Sequence, residues 1–167
     1  LNPPLVGCFG TTLPYGNLSC TLTFNYRVGN KIVNDARMWS ENMYSTNNQS
    51  TVVNWRWRKE GDVTSIPRAL YEYGYNWLGS NRFVEDGSFL RLNTLTLGYT
   101  LPQLMTNKVG INSLRFYVTA YNVFCITNYS GYDPEVSTMR RTNLTPGVDY
   151  SGYPKSRQFV IGLNLNF

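Results

Sequence analysis

The stretch LSCTLTFNYRV, residues 18–28, alternates along its whole length. Leu18, Cys20, Leu22, Phe24, Tyr26 and Val28 are apolar, and Ser19, Thr21, Thr23, Asn25 and Arg27 between them are polar. A period of two places successive side chains on opposite faces of an extended chain, so this run is a strand with one dry face and one wet face. A helix would scatter the same residues around its circumference. The pattern recurs. In LTLGYTL, Leu95, Leu97, Tyr99 and Leu101 alternate with Thr96, Gly98 and Thr100. In SLRFYVTAYNVF, Leu114, Phe116, Val118 and Ala120 lie opposite Arg115, Tyr117, Thr119 and Tyr121. The closing FVIGLNLNF sets Phe159, Ile161, Leu163, Leu165 and Phe167 against Val160, Gly162, Asn164 and Asn166. Upstream of LTLGYTL, Leu90 and Leu92 fall on the other phase, which suggests a β-bulge near Asn93 or a strand whose upper part leaves its neighbours.

Four such strands are read, joined by unequal connections. About sixty residues, from Gly29 to Ser88, separate the first two, about eleven the next two, and about thirty the last two. NDARMWSENMYS inside the first long connection suggests a short helix. Long structureless loops count against a compact soluble domain but are usual on one side of outer-membrane barrels. The wet faces carry Thr, Ser, Asn, Gly and Tyr with single arginines rather than Lys and Glu, which suits a polar barrel lumen. Each run matches the ~9–11 residues of a tilted transmembrane strand. An antiparallel sheet packed on a soluble core, as in a carbohydrate-binding β-sandwich, gives a similar alternation, so periodicity alone leaves both open.

Composition adds to this. Aromatics reach 15%, with 13 Tyr, while charged residues are only 15%. Amphipathic rings in that number suit sugar sites, antibody-like loops or the interfacial girdles of membrane barrels. The net charge is +5, but the basic residues form no stripe, so no nucleic-acid footprint is read. The densest cluster, Arg56, Arg58 and Lys59, is followed by Glu60 and Asp62 and reads as scattered solvated charge. There is no His and no CxxC; Cys8, Cys20 and Cys125 are widely spaced. This argues against zinc and against a disulfide framework, leaving one disulfide open. Without His, and without GxSxG or GxxxxGK, nothing supports catalysis or a cofactor. Asp133 with Glu135, and Glu85 with Asp86, read as turn chemistry or loop solvation, with Ca²⁺ ligation as the competing reading. The N-x-S/T triplets at Asn17, Asn48, Asn128 and Asn143 read as chance in an Asn/Thr-rich chain. No stretch approaches the ~18 apolar residues of a membrane helix, and LNPPLVG reads as a processed, truncated or mid-chain start rather than a signal peptide.

RFVEDGSFLRLNTLTLGYTLP (82–102), GINSLRFYVTAYNVFCITNYSGYDPEV (110–136) and GVDYSGYPKSRQFVIGLNLNF (147–167) together resemble the C-terminal end of a SusC/RagA-type TonB-dependent transporter. YRVGNKIVN (26–34) and IPRA (66–69) also match segments of that family. The resemblance spans nearly the whole chain and is weakest over roughly 36–64. It implies that residues 1–167 are the C-terminal part of an outer-membrane β-barrel of about twenty-two strands. Such barrels import oligosaccharides or peptides, with a plug domain inside, a SusD-like surface lipoprotein as lid, and energy delivered through TonB. The plug, the TonB box and the earlier strands would lie outside these residues, and four strands alone cannot close a barrel.

Candidate residues follow from that frame. Trp55, Arg56, Trp57, Tyr71, Tyr73, Tyr75, Trp77 and Tyr132 are expected in loops, where contact with the lid, contact with substrate and plain loop packing all remain open. Arg115, Tyr117, Thr119 and Tyr121 are expected to face the lumen or the plug. In the family, a terminal aromatic on the last strand belongs to an assembly signal; here Phe159, Leu163, Leu165 and Phe167 are its candidates.

Overall fold

The computed structural model describes residues 3–76, 78–138 and 147–167. Its strands are β1 (Leu5–Tyr15), β2 (Leu18–Val28), β3 (Lys31–Asn34), β4 (Val84–Asp86), β5 (Phe89–Thr100), β6 (Ser113–Thr127), β7 (Val148–Asp149) and β8 (Gln158–Asn166). Two short helices, α1 (Asp35–Ser40) and α2 (Gln103–Thr106), accompany them. The chain divides into two compact units. A sheet unit holds Pro3–Gly29, Ser88–Asn128 and Pro154–Phe167. A loop unit holds Asn30–Gly87 and Tyr129–Tyr153.

The sheet unit is one antiparallel sheet in the order β1-β2-β5-β6-β8. It has five long strands, where the sequence reading finds four. The additional one, β1, hides its alternation: Gly7 and Thr11 stand on the phase that Leu5, Phe9 and Leu13 share, and Pro14 argues against a strand. Its position is nevertheless well defined, since all eleven residues pair with β2 through a two-residue hairpin loop. Gly16, at φ +57°, supplies the positive φ that such turns need.

The bulge expected near Asn93 is present. Thr23 pairs with Thr94 and Phe24 with Leu92, so Asn93 is passed over by β2. On the other side Leu92 pairs with Phe124 and Thr94 with Tyr121, so Asn93 stands against Asn122 and Val123. Asn122 adopts φ +52°, and its side-chain amide donates to the Ser156 carbonyl at 2.9 Å. The extra residue brings Leu90 and Leu92 back to the face of Leu95, Leu97 and Tyr99.

The loop unit is not structureless. β3 pairs antiparallel with β4 and parallel with β7. α1 forms where a helix is expected; the Asn34 side chain accepts from the Arg37 amide at 2.9 Å, and Asp35 sits in the first turn. Ile32, Val53, Ile66, Phe83 and Tyr129 make the unit's apolar centre.

Candidate functional site

The pairing register assigns every strand residue of the sheet to a face, because directly opposed residues point the same way. One face is apolar across all five strands. Its rows run Phe9–Phe24–Leu92–Phe124, then Thr11–Leu22–Leu95–Ala120–Phe159, then Leu13–Cys20–Leu97–Val118–Ile161, then Tyr15–Leu18–Tyr99–Phe116–Leu163. Most of the face is uncovered: Leu97, with a paired strand on each side, is still 53% exposed, and Phe9 52%, while Leu92, between Phe24 and Phe124, and the small Ala120 are buried. A sandwich would cover it with a second sheet. An open apolar surface spanning five strands far exceeds the few hundred Å² that water-facing proteins tolerate. An eleven-residue strand at ~3.3 Å per residue and ~45° tilt covers ~25 Å, the height of the lipid-facing band of outer-membrane barrels.

Rings on this face gather in two tiers. Phe9 stacks on Phe24 with centroids 4.9 Å apart, and Phe24 meets Phe124 edge-on at 6.5 Å. Tyr15, Tyr99 and Phe116 form the second tier at the opposite strand ends. Leucine, valine and isoleucine lie between, as in a band flanked by aromatic girdles. Phe159, Leu163 and Leu165 of β8 belong to this face, and Phe167 directly follows the strand.

The opposite face is polar. Arg115, Tyr117, Thr119 and Tyr121 share it, as the alternation predicts. A threonine row, Thr12–Thr21–Thr96–Thr119, crosses four strands, with hydroxyl pairs at 3.1 Å between Thr12 and Thr21 and 2.9 Å between Thr96 and Thr119. Arg115 reaches over Gly98 to donate to the Ser19 hydroxyl at 3.2 Å; a side chain on Gly98 would occupy that crossing. The Tyr117 ring lies over Gly162 in the same way. Cys8 and Cys125 lie on this face and Cys20 on the apolar one, and all three are free thiols.

In the loop unit, the carboxylates are engaged by protein groups. Glu41 accepts from Arg37 Nε at 2.5 Å and from Arg82, with its side chain only 3% exposed. Glu85 takes Arg37 Nη1 at 3.1 Å, the Asn34 amide at 3.2 Å, and the Ser130 amide and hydroxyl at 2.9 and 2.8 Å. Burial alone would raise the Glu85 pKa, but the Ser130, Arg37 and Asn34 hydrogen bonds outweigh it and hold the carboxyl below its usual range. The Tyr129 hydroxyl donates to Asp149 at 2.6 Å; burial first, then this bond, raises its pKa and keeps it protonated. Asp133 accepts from the Glu135 amide at 2.9 Å, which is the turn chemistry expected of that pair. Among the described residues no group of three or more Cys, Asp or Glu is arranged to hold a metal ion.

A pH dependence follows from Glu85. A carboxyl whose folded pKa is depressed adds stability above its unfolded pKa, and that stability is lost as pH falls through the folded value. Hydrogen-exchange protection of β3 and β4 should therefore hold at neutral pH and drop below about pH 4.5, the ordinary carboxyl value. In Glu85→Gln the protection should already be lower at pH 7, and its acid dependence flatter.

The aromatic loop residues are partly gathered. Trp55 and Arg56 border one hollow, while Trp57 and Tyr75 line another with Arg68. Tyr73 borders a third with Glu41, and Tyr132 a fourth with Arg37 and Ser130. Tyr71 is exposed and lines none of these, and Trp77 lies outside the described residues. Tyr150 and Tyr153, not singled out from sequence, are as exposed as these; their signal was a tyrosine among the turn residues of YSGYP. The Glu41–Arg82 and Arg37–Glu85 pairs were also missed, since their partners lie 41 and 48 residues apart.

No protein-family profile matches the chain. TonB-dependent receptor P3 of Formosa agariphila is 34% identical over 164 residues, covering 95% of this chain and 16% of the relative. TonB-dependent receptor SusC of Bacteroides thetaiotaomicron is 37% identical over 90 residues, 53% of this chain and 8% of the relative. Among solved structures, the RagAB peptide importer in its closed-closed state aligns with a TM-score of 0.82 at 30% identity, covering 99% of this chain and 17% of that one. In the open-open state the TM-score is 0.79 at 29% identity. The chain thus spans roughly a sixth of the length of the relatives it matches along its whole extent. These relatives are receptors and transporters rather than enzymes. Likeness over nearly every residue, a shared backbone and a sheet with one lipid-compatible face lead to one conclusion: the chain belongs to the SusC/RagA-type family of TonB-dependent outer-membrane transporters, as a segment of the β-barrel.

Proposed function

We propose that the intact protein is an active outer-membrane importer of oligosaccharides or peptides. It works with a SusD-like lipoprotein lid and is energised through TonB by way of a plug domain. This chain contributes the C-terminal part of the barrel, crossing the membrane several times. The observation that carries this reading is the two-faced sheet: a mostly uncovered apolar face with two tiers of rings, backed by hydroxyls, amides and arginines. The apolar face meets lipid. The polar face, with Arg115, Tyr117, Thr119 and Tyr121, lines the lumen and touches the plug. Among the described residues both outer strands, β1 and β8, use only one pairing edge, and lipid does not tolerate open edges, so the remaining barrel strands complete them. The long connections supply contacts to lid and substrate from Trp55, Arg56, Trp57, Tyr71, Tyr73, Tyr75, Trp77 and Tyr132.

The test uses the full-length receptor in its native host. Deleting it should stop uptake of one class of labelled oligomer, a protonophore should do the same, and a surface lipoprotein should co-purify. Uptake insensitive to both deletion and protonophore would sink the importer reading. We further propose that β8 carries the assembly signal through Phe159, Leu163, Leu165 and Phe167. Replacing Leu163 and Phe167 by serine should lower surface levels several-fold while leaving transport per assembled copy near normal. Normal surface levels in the double variant would remove β8 from that role.

A further inference from the structure

The loop unit treats its cations unequally. Lys31, Arg37 and Arg82 each have a carboxylate partner. Arg56, Arg58, Lys59 and Arg68 have none among the described residues, although Glu60 and Asp62 are close in sequence. The reason lies in the backbone. The chain from Trp55 to Ile66 folds back on itself: the Trp57 amide donates to the Ile66 carbonyl at 3.0 Å, and the Thr64 hydroxyl to the Trp55 carbonyl at 2.7 Å. The turn passes through Gly61 at φ +92°. Asp62 closes it by accepting from the Arg58 and Lys59 amides at 2.9 and 3.1 Å. One of its carboxylate oxygens, Oδ2, is thereby held by the backbone, and Asp62 borders the first hollow beside Arg56, Arg58 and Lys59 without forming an ion pair with them.

The guanidinium groups are held, but by neutral groups. Arg58 donates to the Asn54 carbonyl at 2.8 Å, and Arg56 to the Val53 carbonyl at 3.4 Å. Arg68 lies over the Trp57 ring, 5.8 Å from its centroid. A carbonyl fixes a guanidinium in place without cancelling its charge, and spare N–H groups remain. Three adjoining hollows share these walls: Arg56 and Arg58 border the first two, and Trp57 and Arg68 the second and third. Trp55 stands 78% exposed at the first.

We propose that this trough binds an anionic oligosaccharide, carboxylated or sulfated, and so narrows the importer's substrate to that class. The apolar faces of sugar rings stack on Trp55 and Trp57, and the planar forks of Arg56, Arg58 and Arg68 take the carboxylate or sulfate oxygens. An extended acidic peptide would satisfy the charge but offers no rigid ring faces to two indoles. The inference rests on the importer reading only for what happens after binding.

The experiment uses the purified full-length receptor in detergent, with binding followed by calorimetry. The probes are an oligogalacturonate hexamer, a sulfated galactan hexasaccharide, neutral maltohexaose and hexaglutamate. At least one anionic sugar should bind, with affinity falling as salt rises, and maltohexaose and hexaglutamate should each be about tenfold weaker or more. The triple variant R56Q/R58Q/R68Q should lose about tenfold or more on the anionic sugar. Trp57→Ala should lose binding and Trp57→Phe should largely keep it, with gel mobility after heating confirming an intact barrel in each. The proposal is overturned if neither anionic sugar binds, if maltohexaose binds as tightly, if hexaglutamate matches the sugars, or if the triple variant is unaffected. Binding that persists in a receptor unable to take up any labelled oligomer would sink the importer reading and leave the trough standing.

Discussion

Leu95→Arg in the full-length receptor is expected to destabilise the barrel by about 2–4 kcal/mol, whereas Thr23→Lys on the opposite face should fold nearly as wild type. Leu95 sits at the middle of β5, between Leu22 and Ala120 on the apolar face. An arginine at the bilayer midplane of an outer-membrane barrel costs about 2–4 kcal/mol, and the cost falls to about 0–1 kcal/mol near the interfaces. Tyr99→Arg, on the same face but at the strand end, is therefore predicted to cost far less than Leu95→Arg. Thr23 faces the polar side between Gly10 and Thr94, where a lysine keeps its charge off the apolar face.

The depth gradient is the informative part. If the apolar face packed against a protein core, position along the strand would matter little, and each buried arginine would be comparably disruptive. Urea titration of the refolded receptor in lipid vesicles gives the three free energies. A Tyr99→Arg penalty equal to that of Leu95→Arg would rule out a lipid boundary for this face.

The residues that made the sheet legible were those with an uninterrupted period: Leu18 to Val28, Leu95 to Leu101 and Phe159 to Phe167. There the dry side is apolar at nearly every second position, so face and register follow from the pleat. The phase break at Asn93 was legible too, as a bulge or as a strand leaving its neighbours; pairing that continues on both sides of it decides for the bulge. β1 was not, since Gly7, Thr11 and Pro14 lower its local strand signal; its place is set by β2, a tertiary influence that a local pattern does not contain. The aromatic loop residues were legible as exposed rings, but their grouping was not. Trp57 and Tyr75 border one hollow although they lie far apart in the chain, and the fold-back at Gly61 and Asp62 sets Trp57 beside Ile66. The charge cluster at Arg56, Arg58 and Lys59 read as solvated because Glu60 and Asp62 follow it. Sequence proximity could not show that Asp62 Oδ2 accepts from the backbone amides of Arg58 and Lys59 rather than pairing with their side chains. Glu85 was read as turn chemistry, with calcium competing; its partners Arg37 and Ser130 lie 48 and 45 residues away.

Glu41→Gln should unfold the loop unit while leaving the sheet's protection intact. The carboxylate is 3% exposed and bridges two guanidinium groups. Arg37 keeps Glu85 as a second partner, but among the described residues Arg82 keeps only the face of Phe83, 5.0 Å from the ring centroid. Removing one member of a buried ion pair costs about 3–5 kcal/mol, because the partner is left charged and desolvated. Arg82 is 18% exposed, so water recovers part of this and places the expected loss toward the lower end of that range. Local opening should then approach the scale of hydrogen exchange at loops, and protection of α1 and β3 should fall by a hundredfold or so, at about 1.4 kcal/mol per decade. A second substitution separates charge from shape. Arg82→Met in the Glu41→Gln background removes the orphaned cation and fills its volume, so protection should return in part, whereas Arg82→Met alone should damage the unit. If the double variant is no better protected than Glu41→Gln, the pair acts through packing rather than charge. The sheet strands β2, β5 and β6 serve as the internal control, since their hydrogen bonds involve none of these groups.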